Sequence, residues 1–258
     1  MHILFAPRER ILDALPRHRR WAEIGVFRGE FSQTILEHCD PSELHLIDPW
    51  HFDLDFDYFA PPPSSPLFPD PRGWASSIAA WTSAPDRMHI NEHFDTIAQS
   101  VAQRFANDRR VTIHRAMAHL VAETFADEYF DFVYIDSAHD YANVLRDLQC
   151  YAPKVSPSGA LLGDDYCEMG TFANAEYGVV GAVTHYRRLI PPTDLIVTAD
   201  LFSMFGLFPA GSPLLQDALR AAGAAGPLLE LPDAIAANYH QVIRPDGKSG
   251  LYWFPSFA

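Results

Sequence analysis

The sequence has 258 residues, 48% of them hydrophobic and 20% charged, with a formal net charge of −14. That is enough apolar material for one sizeable core, and the acidic balance excludes a general grip on phosphate backbones, which requires a basic footprint. No run approaches the ~18 apolar residues of a membrane span, and the first twenty residues carry Arg8, Glu9, Arg10, Asp13, Arg17, Arg19 and Arg20, unlike a secretory leader. The expectation is therefore a single cytoplasmic domain acting on a small molecule, with neither nucleic acid nor membrane as partner. Cys39, Cys150 and Cys167 lack metal-type spacing and leave an odd thiol, so they are read as reduced and inert.

In chain order, RERILDAL (8–15) places Ile11, Leu12 and Leu15 on one helical face before Pro16, predicting a short amphipathic helix against the sheet edge. WAEIGV predicts a strand, EFSQTILEHC a helix, and ELHLID a second strand ending at Asp48. Residues 50–93 then break the pattern, with a run of prolines and aspartates and the aromatics Phe52, Phe56, Tyr58, Phe59, Phe68 and Trp74. A segment of that length is an insertion, either a mobile loop or a substrate lid. Helical spacing returns through Phe94, Ile97, Val101 and Phe105. RVTIHRA, FDFVYID and GALLGDD follow as strands, with AHLVAETF and YANVLRDLQCYAPKV as helices between them. GVVGAVTHYRRLI is a further helix, and DLIVTA and FSMFGLF are two closing strands; residues 211–258 form a C-terminal extension without a legible pattern. Alternating strands and helices predict an α/β fold with a doubly wound, mostly parallel sheet of seven strands and helices on both faces.

In such a sheet the ligand lies beyond the carboxyl ends of the strands, and the first strand-to-helix turn is at the centre of that crevice. Gly25 and Gly29 occupy this turn, where a missing Cβ admits close approach and a tight bend; the alternative is that they only end a strand and begin a helix. Asp48, about twenty residues on, can accept the hydroxyls of a ribose. The full dinucleotide fingerprint is missing a glycine, and Glu23 would repel a pyrophosphate while suiting a cationic amino-acid ligand.

EIGVFRGEFS followed by LHLIDPW resembles the first two motifs of class I S-adenosylmethionine-dependent methyltransferases. More narrowly, it is similar to the metal-dependent branch containing macrocin O-methyltransferase and the aminocoumarin sugar O-methyltransferases, over roughly residues 20–190 without the insert. The resemblance implies a Rossmann-like methyltransferase sheet, with Glu23, Gly25, Phe27 and Gly29 lining the methionine side of S-adenosyl-L-methionine and Asp48 holding its ribose. Ala116 and Met117, after the third strand, face the adenine in folds of this type; the same two residues can equally be core.

Asp136 closes FDFVYID, and Asp164 with Asp165 closes GALLGDD, which brings three carboxylates to one rim of the sheet. Hard oxygens converging from neighbouring strands suit Mg2+ or another divalent cation; a solvated acidic rim or helix N-caps would give the same pattern. The resemblance implies the metal at Asp136, Asp164 and Asp165. His139, three residues after Asp136, can take a proton from a bound hydroxyl, and the resemblance gives it the role of base in catalysis.

These readings converge on metal-dependent O-methylation of a small-molecule hydroxyl on a sugar, a glycosylated natural product or a phenol. A nicotinamide-dependent oxidoreductase, a catalytically idle protein of the same fold, and a relative of the cephalosporin hydroxylases stay open at this stage. So does assembly into a homo-oligomer.

Overall fold

The computed structural model describes residues 1–52, 82–168, 178–200, 202–232, 235, 240–245 and 251–256. The part of the insert spanning 53–81, with Phe56, Tyr58, Phe59, Phe68 and Trp74, lies outside them. The first elements are β1 (His2–Leu4), α1 (Glu9–Ala14), β2 (Arg20–Ile24), α2 (Glu30–Cys39) and β3 (Glu43–Ile47). After the insert come α3 (Ile90–Phe105), β4 (Val111–His114), α4 (Ala118–Ala122), β5 (Phe130–Ile135), α5 (Tyr141–Tyr151) and β6 (Val155–Gly163). The chain continues through β7 (Cys167–Glu168), α6 (Val179–Leu189), β8 (Thr193–Thr198), β9 (Phe205–Pro209), α7 (Pro213–Ala225) and β10 (Leu228–Glu230). It closes with β11 (His240–Pro245) and β12 (Leu251–Ser256).

The main sheet has nine strands in the order β10-β1-β8-β9-β6-β5-β2-β3-β4. Seven of them, β2 to β6 with β8 and β9, are the expected set, and β9 runs antiparallel between β6 and β8. The surplus over the expected seven comes from the chain ends: β1 pairs parallel with β8, and β10 pairs antiparallel with β1. A three-residue strand such as HIL is too short to show a period of two, so no pattern in the sequence marks it. A second sheet, β12-β11-β7, is built largely from the C-terminal extension.

The central strands are apolar on both sides because both faces of the sheet are covered. Along β5, Phe130, Val133 and Ile135 enter one core while Phe132 and Tyr134 enter the other. The first core lies under α4, α5 and α6, and the second under α1, α2, α3 and α7. The α1 helix therefore sits on a face, packed against α2 and α7, rather than against a sheet edge. On β2, Trp21 belongs to the α2 side and Ala22 and Ile24 to the other. Strand alternation thus aims Glu23 at α2, in a place an apolar residue would ordinarily fill.

Candidate functional site

The turn between β2 and α2 is built from positive backbone angles: φ is +85° at Gly25, +49° at Phe27 and +73° at Gly29. A Cβ on Gly25 would stand 2.0 Å from the carbonyl oxygen of Asp136, and one on Gly29 would stand 2.9 Å from the Phe105 ring. What comes so close to the two glycines is therefore the protein itself, at the neighbouring strand end and at α3. Gly25 couples the turn directly to Asp136, whose N–H also donates to the Ile24 carbonyl (2.7 Å).

Asp48 fixes the same turn from the other side. Its Oδ2 accepts the N–H groups of Val26 and Phe27, both at 2.9 Å, and its Oδ1 accepts the N–H of Trp50 at 2.6 Å. Trp50, fully buried, returns an indole N–H to the Phe27 carbonyl at 2.7 Å. Burial raises the Asp48 carboxyl above its ordinary range, opposed by these three N–H donors.

A cavity of 340 Å³ opens below the turn, lined by Glu23, Gly25, Val26, Phe27, Glu30, Phe31, Thr82, Phe94, Asp136 and His139. Glu23 is buried, accepts the Ser32 hydroxyl at 2.5 Å, and is pushed well above the usual carboxylate range by burial. An uncompensated buried carboxylate is costly, so a cationic group entering the cavity would relieve it. Of the expected cofactor residues, Glu23, Gly25 and Phe27 share this cavity. Gly29, Asp48, Ala116 and Met117 are not among its lining residues; Ala116 packs on the core and Met117 is exposed at the start of α4.

At the cavity edge Asp136, His139 and Asp165 come together, each offering one ligand atom within 4.8 Å of the others. His139 Nε2 lies 3.0 Å from Asp165 Oδ2 and 3.4 Å from Asp136 Oδ1. Burial works against a charged imidazole, but Asp165, Asp136 and Asp164 outweigh it and raise His139 to about 9. Asp164 is placed apart from this group: its Oδ2 is engaged by Arg8 Nη1 at 2.5 Å, so it faces the N-terminal segment while His139 completes the cluster. Burial and the adjacent Asp165 push the Asp164 carboxyl up to about 6, against the pull of Arg8.

A family model described as a methyltransferase domain matches residues 22–166, more than half the sequence. The chain belongs to that methyltransferase family. No curated protein matches it. Two solved structures share the fold: a Corynebacterium glutamicum protein (15% identity, 80% of this chain, 83% of that one, TM-score 0.51) and a spermidine synthase in complex with the transition-state analogue AdoDATO. The second is 13% identical, over 81% of this chain and 60% of that one, with a TM-score of 0.50. By family and sheet, the protein is a class I S-adenosylmethionine-dependent methyltransferase, which decides against the nicotinamide-dependent alternative.

Several groups of this candidate site are not legible in the sequence of the methyltransferase. Phe94 shows in the sequence as one apolar position of a helix, with nothing to mark it as cavity wall rather than core. Phe31 is likewise one apolar position of a helix, Thr82 carries no signal, and Arg8 reaches its partner across 156 residues of chain. Among the described residues no helix is long and apolar enough to cross a membrane.

Proposed function

We propose that this methyltransferase transfers the methyl group of S-adenosylmethionine to a hydroxyl of a small molecule, assisted by a divalent cation at Asp136 and Asp165. The observation that carries this reading is that one cavity is lined both by the glycine turn with Glu23 and by Asp136 with His139. Donor and acceptor can then meet without leaving the protein, turning a bimolecular displacement into an effectively unimolecular one.

The residues fit both groups. Glu23 supplies a buried carboxyl that the ammonium of the methionine moiety would hold ionised against the effect of burial, and Gly25 and Phe27 present backbone beside it. Asp48 acts by holding the turn in shape, with the remaining lone pair of Oδ1 available to a ribose hydroxyl. The carboxylates of Asp136 and Asp165 fit the hard oxygen donors that Mg2+, Mn2+ or a similar ion takes, and the His139 imidazole lies beside them in the same 4.8 Å group. The cation, when bound, supplies the positive charge that lowers the acceptor hydroxyl's pKa. His139 is the group positioned to accept the proton: neutralising the charges of Asp136 and Asp165 removes what holds its imidazole protonated. Phe27, Phe31 and Phe94 keep water away from the transfer. The insert of residues 50–93, whose described end contributes Thr82 to the cavity, is proposed as the acceptor lid.

The test is transfer of labelled methyl from S-adenosylmethionine to a panel of sugar-hydroxyl and phenolic acceptors. Turnover is expected to vanish on chelation and return with Mg2+ or Mn2+, and Asp136→Asn is expected to lose it while keeping S-adenosylhomocysteine affinity within about threefold. Full turnover under chelation would remove the cation from the reading.

A further inference from the structure

Two adjacent carboxylates at the end of β6 have been given different work, and the residue that divides them is Arg8. Its guanidinium is bound at every nitrogen: Nη1 to Asp164 Oδ2 (2.5 Å) and the Tyr134 hydroxyl (3.3 Å), Nε to Asp200 Oδ2 (3.1 Å), and Nη2 to the Phe202 carbonyl. These partners stand at the ends of β5 and β6 and in the β8–β9 turn, so a residue at the start of α1 ties three strand ends together. The side chains of Arg8 and Asp164 are each only 15% exposed, so the pair is held largely out of water, where a fixed geometry matters most.

The tie continues along the backbone. With Oδ2 held by Arg8, Asp164 turns Oδ1 back to accept the N–H of Asp165 at 2.9 Å. Asp165 sits at φ +61°, a left-handed conformation that is costly for a residue with a Cβ and persists only where surroundings enforce it. In that conformation its carboxylate reaches His139 at 3.0 Å.

We infer that Arg8 is a positioning residue: it reserves Asp164 as scaffold and, through the Asp164–Asp165 hydrogen bond, sets the Asp165 carboxylate in the cluster with Asp136 and His139. This rests on the reading of that cluster as a cation site. It differs from the arrangement expected from sequence in making Asp164 a support rather than a ligand.

The experiment uses the full chain, with Mn2+ alone as probe, followed by electron paramagnetic resonance, and S-adenosylhomocysteine affinity measured in parallel. Asp165→Asn is expected to lose at least tenfold in Mn2+ affinity, and Asp164→Asn, which keeps an acceptor for the Asp165 N–H, no more than about threefold. Arg8→Met should lose about tenfold in Mn2+ affinity with S-adenosylhomocysteine affinity unchanged, a split that general loosening would not give, and Arg8→Lys should recover part of it. Equal losses for Asp164→Asn and Asp165→Asn, or unaltered Mn2+ affinity in Arg8→Met, would overturn the inference. Should the unaltered chain take up no Mn2+, the cation reading falls by itself, and amide exchange at Asp165 decides the positioning claim. At least tenfold faster exchange in Arg8→Met, with Arg8→Lys in between, upholds it, and equal exchange in Arg8→Met and the unaltered chain refutes it.

Discussion

At the scale of single residues, the site depends on backbone contacts more than on side-chain identity. Gly25 shows this most directly, because the Cα hydrogen that a Cβ would replace points at the carbonyl of Asp136, at the end of the neighbouring strand β5. Gly25→Ala must open a contact of 2.0 Å and keep a positive φ, so it is expected to cost on the order of 4 kcal/mol. Chemical denaturation checks this, and the same variant should lose cofactor affinity because the turn cannot stay where it is. Asp48 acts similarly: with three backbone N–H donors on its carboxylate, Asp48→Ala is expected to weaken S-adenosylhomocysteine binding at least tenfold by releasing the turn, as calorimetric titration would show. The sequence marks out the glycines and the aspartate, as ligand contacts or as the end of a strand and start of a helix, without showing which protein atoms come up against them. Which atom a missing Cβ leaves room for is a tertiary fact, and no spacing rule carries it.

At the scale of elements, the alternation of strands and helices is readable from Trp21 to Pro209 apart from the insert and the two-residue β7, because apolar periodicity is strong wherever an element is long and packed on both faces. The boundaries that moved did so for local reasons. The α3 helix begins at Ile90, whose side chain is fully buried, rather than at His93. The β6 strand begins at Val155 and runs through Pro157, a residue that argues against a strand interior unless pairing is irregular there; the register between β5 and β6 does shift in that stretch. The N-terminal helix was seen, but its place was not. Ile11 and Leu12 are fully buried, so α1 is an integral layer of the second core, carrying Arg8 at its start. Leu12→Ala is therefore expected to destabilise the fold by about 2–5 kcal/mol, lowering the denaturant midpoint without changing the slope.

At the scale of the whole molecule, sheet order gathers what the sequence keeps far apart. Adjacent parallel strands β2, β5 and β6 end at one rim, delivering Gly25, Asp136 and Asp165 side by side. Three acids there, with His139 beside Asp136, are legible from the strand-terminal aspartates and the three-residue spacing; that Asp164 belongs to Arg8 is not. The concentration of charge has a consequence for pH. The His139 pKa is raised in the folded state to about 9 from 6.5, so its contribution to stability is fully present below 6.5 and is lost as pH rises through 9. Asp164, raised from 3.8 to about 6 by burial, works in the same sense at lower pH, its contribution being lost as pH rises towards 6. Cation-free protein is therefore expected to show a denaturant midpoint that falls between pH 6.5 and 9, and His139→Gln should flatten that fall.

Whether donor cavity and acid cluster form one working site is tested most directly by diffraction at the manganese absorption edge, on crystals holding S-adenosylhomocysteine and Mn2+. The expected result is an anomalous peak bonded to Asp136 and Asp165, at the edge of the cavity holding the cofactor's sulfur, with Asp164 still on Arg8. Cofactor density elsewhere, or no anomalous peak at that cluster in a crystal saturated with Mn2+, would contradict it.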